Sequence, residues 1–248
     1  MWSNDEVVVV TGAGRNIGEA VVTAFVQKGA RVAVVDIDSQ RADKVAQELE
    51  HLREGSVISV ACDVSSSGQV ASMVDRVIHH FGRIDVLVNN VAITDRKTIL
   101  ELEEEEWDRV MDVTLKSVFL CSKFVAKQMI VRQIRGRIIN VASTSGYRGR
   151  SNATAYTAAK AGILNLTRTM AVQLSRYGIR VNSVTPNKIG SPVGESDERK
   201  AGEVKNLIGR NGVPVDLARA ITFLASKNAE FITGVDLLVD GGALAGLQ

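Results

Sequence analysis

The sequence predicts an α/β protein built on one doubly wound sheet of seven parallel strands, and three observations predict it. Short β-branched runs alternate with amphipathic stretches along the whole chain. The runs are apolar at successive positions rather than at every second one, as strands buried on both faces are. A glycine-rich turn joins the first run to the first amphipathic stretch, where a nucleotide-binding fold would place it.

The first strand is the β-branched run Val7 to Val10, which enters Thr11 and Gly12. A helix follows from Gly18, with Ala20, Val21, Ala24 and Phe25 on one stripe and Gly29 as its end. The alternation continues with a strand over 31–35, a helix over 39–52, a strand over 57–62, a helix over 69–81 and a strand over 86–89. One long helix over 103–129 comes next, then a strand at 137–141, a helix at 155–177, a strand at 180–184, a helix at 215–225 and a strand at 235–239. The stripe Val70, Met73, Val74, Val77, Ile78 and Phe81 fits a period of 3.6 closely. Nothing resembling a linker or repeat interrupts the pattern, so residues 1–248 form a single domain. The one long irregular segment, 186–202, contains Pro186 and Pro192 and is expected to be a substrate lid.

Composition narrows the function classes. At 248 residues, 45% apolar and 23% charged, the chain can bury an ample core and is neither disordered nor collagenous. Thirty basic against 28 acidic side chains leave +2, too balanced for a nucleic-acid backbone partner. The densest basic stretch, Arg132, Arg135 and Arg137, reads as a solvated turn, and the acidic run from Glu101 to Glu106 reads as the complement to a helix start. Cys62 and Cys121 lie outside any CxxC or histidine cluster, so neither a disulfide framework nor a metal site is expected, and a reducing compartment is. His51, His79 and His80 belong to helix surfaces. No apolar run approaches the ~18 residues of a membrane span, and residues 2–6 lack a cationic leader, so the expectation is a cytoplasmic protein that contacts neither membrane nor nucleic acid.

The chemistry-bearing residues fall at the carboxyl ends of the strands. Gly12, Gly14 and Gly18 let backbone N–H groups approach a pyrophosphate at the positive end of the first helix. Asp36 closes the second strand at about the ~20-residue offset expected for an acid that binds an adenosine ribose diol. Its charge would repel a 2′-phosphate by about 4 kcal/mol at ~4 Å and an effective dielectric of ~20, which favours NAD. As a helix N-cap, Asp38 or Ser39 is better placed than Asp36. Tyr156 and Lys160 are one turn apart on a helix-competent stretch and share a face. At ~5 Å an ammonium would stabilise a phenolate by ~3 kcal/mol, lowering the tyrosine pKa toward the range of a general base. Ser143 follows the buried strand 137–141 at the same end of the sheet.

Together these residues resemble the short-chain dehydrogenase/reductase family across nearly the whole chain. The resemblance rests on Thr11-Gly12-Ala13-Gly14-Arg15-Asn16-Ile17-Gly18, Asp63-Val64, Asn89-Asn90-Val91-Ala92, Ser143, Tyr156-Thr157-Ala158-Ala159-Lys160, Pro186 to Ser191, and Asp240-Gly241-Gly242. It implies a Rossmann fold and an oxidoreductase in which Tyr156 exchanges the hydroxyl proton, Lys160 lowers its pKa and holds the nicotinamide ribose, and Ser143 orients the substrate oxygen. Asp63 and Val64 would contact adenine; Asn89 and Ile189 would line the cofactor channel. Gly12, Arg15, Asn16, Ile17, Gly18, Asp36, Ile37, Val91, Ala92, Pro186, Asn187 and Ser191 complete the implied cofactor set. The family also implies a homotetramer, with helices 103–129 and 155–177 at an interface.

Several positions depart from the family pattern. Asn16 replaces a glycine, and asparagine tolerates a left-handed backbone. Ala92 and Asn187 replace glycines, and Ser191 replaces a threonine. Thr114 stands where the family carries a catalytic asparagine that anchors a water on the lysine, so proton transfer is expected to be reduced or rerouted. Arg15 suits NADP and conflicts with Asp36, unless the two pair. Arg96, Lys97, Arg148, Arg150 and Lys188 fall in segments that surround the pocket mouth on the family pattern, which suggests an acidic or sugar-like hydroxyl compound. The leading reading is an NAD-dependent enzyme that moves hydride between a secondary alcohol or ketone and nicotinamide. An NADPH-dependent 3-oxoacyl-type ketoreductase and a non-catalytic dinucleotide-binding regulator are the alternatives.

Overall fold

A computed structural model describes residues 6–190 and 206–246. Seven strands form one sheet: β1 (Val7–Thr11), β2 (Arg31–Asp36), β3 (Val57–Ala61), β4 (Val86–Asn89), β5 (Arg137–Val141), β6 (Arg180–Pro186) and β7 (Asp236–Val239). Every pairing is parallel and the order is β3-β2-β1-β4-β5-β6-β7. The order reverses direction between β1 and β4, which opens a crevice at the carboxyl ends of those two strands.

Among the described residues seven α-helices flank the sheet: α1 (Asn16–Val26), α2 (Ser39–Glu50), α3 (Ser67–Phe81), α4 (Glu104–Met111), α5 (Ser117–Val131), α6 (Thr154–Leu174) and α7 (Pro214–Ala225). Alternation along each strand divides the core into two layers. Val7, Val9, Ala33 and Val35 pack with α3, α5 and α6, whereas Val8, Val10, Val32 and Val34 pack with α1, α2 and α7. This is why the strands carry no polar alternation: both faces are covered. Asp38 caps α2 by accepting the Arg41 N–H, and Ser66 caps α3 by accepting that of Gln69. The α3 stripe is buried at Val70, Met73, Val74, Val77 and Phe81.

Two sequence expectations change. The helix expected over 103–129 is α4 and α5 joined by a π-helical segment, Asp112–Lys116. Thr114 lies inside that segment and bonds the main chain of Ile93, a tertiary contact that no helical periodicity encodes. The helix expected over 155–177 ends at Leu174 and tightens to a 3-10 turn over Ser175–Tyr177. The expected lid over 186–202 lies largely outside the described residues, as does Ser191; β6 runs to Pro186. No helix among the described residues is long and apolar enough to cross a membrane.

Candidate active site

The crevice is built at the ends of β1, β2, β4 and β5. After β1 the chain turns through Gly12 at φ 63° and reaches Asn16 at φ 51°, the left-handed backbone for which asparagine is suited. A Cβ on Gly18 would lie 2.1 Å from the Gly12 carbonyl oxygen, so only glycine lets α1 approach the turn this closely. Arg15, the N-cap of α1, is exposed and makes no side-chain cap bond, which leaves the helix's first N–H groups to an incoming anion. Ile17 is half-buried at the same end. These are features that a dinucleotide pyrophosphate requires, and the residues present fit one.

Asp36 does not lie free at the strand end. Its Oδ2 accepts the Gly14 N–H at 2.9 Å and its Oδ1 accepts that of Asp38 at 3.1 Å. The carboxylate therefore braces the glycine turn while keeping lone pairs for a ribose diol. No ion pair joins it to Arg15 among the described residues. The cation beside it is Arg41, whose Cβ packs where a Gly14 side chain would stand and whose guanidinium pairs with Asp38 at 2.7 Å. The Coulombic pull of Asp36 and Asp38 adds to that hydrogen bond in raising the Arg41 pKa. Sequence reading missed Arg41, because only the first turn of α2 brings it to the site.

At the opposite wall of the turn, Asn90 donates from Nδ2 to the carbonyls of Thr11 and Gly12, both at 3.1 Å, and Val91 packs against Gly12. Ala92 follows half-buried. Asn89 points elsewhere: its amide donates to Ser122 and Asn140 in a buried link between β4, α5 and β5, so only its main chain remains to face a channel. Asp63 accepts from the Ser65 N–H and hydroxyl, Val64 is buried, and Ile37 is exposed beside Asp36. Beyond β6, Asn187 accepts a bond from the Thr144 hydroxyl, and Ile189 is buried with its Cδ1 against Gly212.

Ser143, Tyr156 and Lys160 come together. Ser143 begins a short 3-10 turn after β5 and accepts the Ser145 N–H at 3.2 Å, with its hydroxyl near enough to the Tyr156 phenol to favour the phenolate. Lys160 is buried, its Nζ donating to the Val141 carbonyl at 2.6 Å and standing 5.7 Å from the Tyr156 ring centroid. Burial pushes the lysine down to about 7 and pushes the phenol up, while the Ser143 hydroxyl and the Arg150 charge pull the phenol down. The lowered phenol expected from a neighbouring ammonium does not appear: burial is the largest influence on the phenol, and Lys160 is itself lowered to about 7.

Thr114, fully buried, accepts the Ile93 N–H at 3.2 Å and donates to the Ile93 carbonyl at 3.0 Å. Its hydroxyl forms that clip, and no bond between it and the lysine is found among the described residues. Two residues beyond Ile93, Asp95 accepts the Tyr156 N–H through Oδ1 at 2.9 Å, and its buried Oδ2 has no partner among the described residues. The segment 93–97 thus ties the π segment to the start of α6. Asp95 was not foreseen: a carboxylate that caps a helix from another element leaves no local signal.

The comparisons agree with this geometry. The enoyl-(acyl carrier protein) reductase family model matches residues 12–243. A 3-oxoacyl-[acyl-carrier-protein] reductase, FabG, of Thermotoga maritima is 39% identical over 240 residues, covering 96% of this chain and 97% of the relative. A cis-4-hydroxycyclohexanecarboxylate dehydrogenase of Sinomonas cyclohexanicum is also 39% identical, covering 97% of each chain. The crystal structure of a putative short-chain dehydrogenase/reductase from Burkholderia xenovorans superposes with a TM-score of 0.92 at 34% identity, covering 98% of each chain. With the family model matching nearly the whole chain and relatives and a solved structure alike over its full length, the chain belongs to the short-chain dehydrogenase/reductase family.

Proposed function

We propose that the protein is an NAD-dependent oxidoreductase that moves hydride between a secondary alcohol or ketone and nicotinamide. The observation that carries this reading is that Ser143, Tyr156 and Lys160 gather as one cluster after β5, at the same carboxyl end of the sheet as the glycine turn after β1. The dinucleotide, when bound, supplies the hydride donor or acceptor. Ser143 orients the substrate oxygen and Tyr156 exchanges a proton with it at the phenolic oxygen. Burial keeps that phenol protonated at neutral pH, so the arrangement favours proton donation to a ketone there. Lys160 sits between the phenol and the Val141 carbonyl, poised to hold or release a proton near pH 7. Thr114 positions the segment 93–97 through its two bonds to Ile93.

The choice of NAD rests on Asp36, whose fixed carboxylate would oppose a 2′-phosphate by about 4 kcal/mol at ~4 Å and an effective dielectric of ~20. A second reading, an NADPH-dependent 3-oxoacyl-type ketoreductase, is favoured by the exposed Arg15 and by Arg41 beside Asp36. Fluorescence titrations with NADH and NADPH decide between them: tighter NADPH binding overturns the NAD assignment. Tyr156→Phe should abolish turnover over an alcohol and ketone panel. Dinucleotide binding with no turnover on any member of that panel would instead make the protein a regulator.

Family likeness also points to a cytoplasmic homotetramer. The face formed by α4, α5 and α6 supports a partner copy, since Phe119 and Val172 are 47% and 78% exposed there. A cavity of about 320 Å³ lined by Met111, Leu115, Phe119, Gly162 and Leu166 opens on the same face.

A further inference from the structure

We propose that Tyr147 is a positioning residue for the reaction: through Asp236 it holds the turn that carries Ser143 against the strand leading into Pro186 and Asn187. This inference rests on the oxidoreductase reading above and assigns one more residue to the same site.

The turn that begins at Ser143 cannot fix its own place. It is a single 3-10 turn, Thr144–Gly146. The Gly146 N–H closes it on the Ser143 carbonyl at 2.9 Å, the Tyr147 N–H on the Thr144 carbonyl at 3.1 Å, and the Ser145 N–H on the Ser143 hydroxyl at 3.2 Å. Those bonds set its shape, but so short a helix draws little rigidity from them. Beyond it residues 148–151 are exposed, and the next main-chain N–H bonded among the described residues is that of Ala153, to the Lys97 carbonyl.

Contacts with other elements locate the turn instead. Gly146 packs on α6, where a Cβ would stand 2.9 Å from the Lys160 carbonyl oxygen. The Thr144 hydroxyl donates to Asn187 Oδ1 at 3.2 Å, just past the end of β6. The Tyr147 phenol donates to Asp236 Oδ2 at 2.8 Å, the shorter of these two bonds and the one with a charged acceptor, which makes it the stronger.

Asp236 is a fixed acceptor. It sits on β7 opposite Ser183 of β6, and its Oδ1 accepts the hydroxyls of Ser183 at 2.6 Å and Thr185 at 2.9 Å, both of them fully buried residues. With Oδ1 pinned to β6, Oδ2 is presented to Tyr147 in one direction. Partial burial and the Asp236 carboxylate push the Tyr147 phenol up to about 12, so it remains a donor throughout the neutral range. Thr185 immediately precedes Pro186, so the bond registers the Ser143 turn against the very strand that leads into the implied cofactor segment. Ser143 can orient a substrate oxygen only while its turn keeps that register, and a misplacement on the order of 1 Å can cost about 100-fold in rate.

The test uses Tyr147→Phe in the full-length protein, a change at a half-exposed site that deletes the hydroxyl without opening a core cavity. Ser183→Ala, which removes a different bond from the same carboxylate, is the control. In Tyr147→Phe, kcat on the fastest member of the alcohol and ketone panel should fall about 10- to 100-fold, with KM for substrate and dinucleotide little changed. In Ser183→Ala, kcat should match the native protein. Amide hydrogen exchange reads the turn without any substrate: the Ser145 and Gly146 N–H groups should exchange about 10-fold or more faster in Tyr147→Phe, the factor for losing a bond to a charged group, and at the native rate in Ser183→Ala. Asp236→Asn keeps an oxygen for Ser183 and Thr185 and offers its amide N–H to the Tyr147 oxygen, so both readouts should fall between native and Tyr147→Phe. Adding it to Tyr147→Phe should cause no further loss of kcat, since the two act through one bond. A raised KM at unchanged kcat makes Tyr147 a substrate contact, an equal loss in Ser183→Ala makes Asp236 a brace of the sheet edge alone, and unaltered exchange at Ser145 and Gly146 shows that the turn stands without Tyr147; each overturns the proposal. Should Tyr156→Phe retain turnover, or the panel yield none, the oxidoreductase reading fails instead, and the amide exchange still decides whether Tyr147 holds the turn.

Discussion

Removing the Asp95 carboxylate should weaken both the fold and the chemistry, because this one side chain caps the helix that carries Tyr156. The N-cap residue of α6, Ala153, has φ 67° and no side-chain acceptor, so the N–H of Tyr156 depends on Asp95 Oδ1 at 2.9 Å. Asp95→Ala removes a cap, worth about 1 kcal/mol, and leaves a buried N–H unpaired at a further cost of about 1–3 kcal/mol. A loss of about 2–4 kcal/mol should lower Tm by about 4–16 °C in a domain of this size. Differential scanning calorimetry reads that shift, and steady-state kinetics should show kcat falling with KM little changed, since the phenol is displaced and the outer substrate contacts are not. Asp95→Asn keeps an acceptor for Tyr156 while removing a charge whose Oδ2 has no partner among the described residues, so it should recover at least half of the lost stability. If Asp95→Ala unfolds within 1 °C of the native protein and turns over normally, the capping argument is wrong.

Three further outcomes follow from the same structure. Burial lowers Lys160 from 10.5 to about 7, so between those limits the unfolded chain binds a proton that the folded chain has released; stability should rise with pH across that window, by at most about 1.4 kcal/mol per unit, and urea titrations of Lys160→Met should show the slope reduced. Thr114→Val deletes both bonds to Ile93 and should destabilise the protein by about 2 kcal/mol in chemical denaturation; Thr114→Asn, which can both donate and accept, should fold normally with turnover equal or raised. Gly18→Ala would set a Cβ 2.1 Å from the Gly12 carbonyl oxygen, and fluorescence titration should show dinucleotide affinity lost even where circular dichroism shows a folded sheet.

What the sequence made legible is what depends on local pattern. Continuous apolar runs gave the parallel strands because burial on both faces removes polar alternation, as at β1 and β2. Asn16 was readable as a left-handed residue from its chemistry alone, and Asp38 as a helix cap. The contacts that escaped all join distant segments: Asp95 to Tyr156, Thr114 to Ile93, and Arg41 to the glycine turn. Electrostatics escaped in a different way. The Tyr156–Lys160 spacing suggests a simple charge attraction, yet the depth at which the fold buries both groups reverses the expected shift of the phenol.

The π segment at Asp112–Lys116 also governs the angular phase of everything after it. Each residue of an α-helix advances about 100° around the axis, and a π turn accommodates one residue more than an α turn does. Excising a single residue there would let α4 and α5 fuse into one regular rod with Cys121, Val125 and Met129 still turned toward α3 and the sheet, because the wider turn already absorbs the extra residue. A one-residue deletion in this stretch that spares Thr114 should thus be borne better than the same deletion in the middle of α5, where every later residue would turn by about 100° away from its partners.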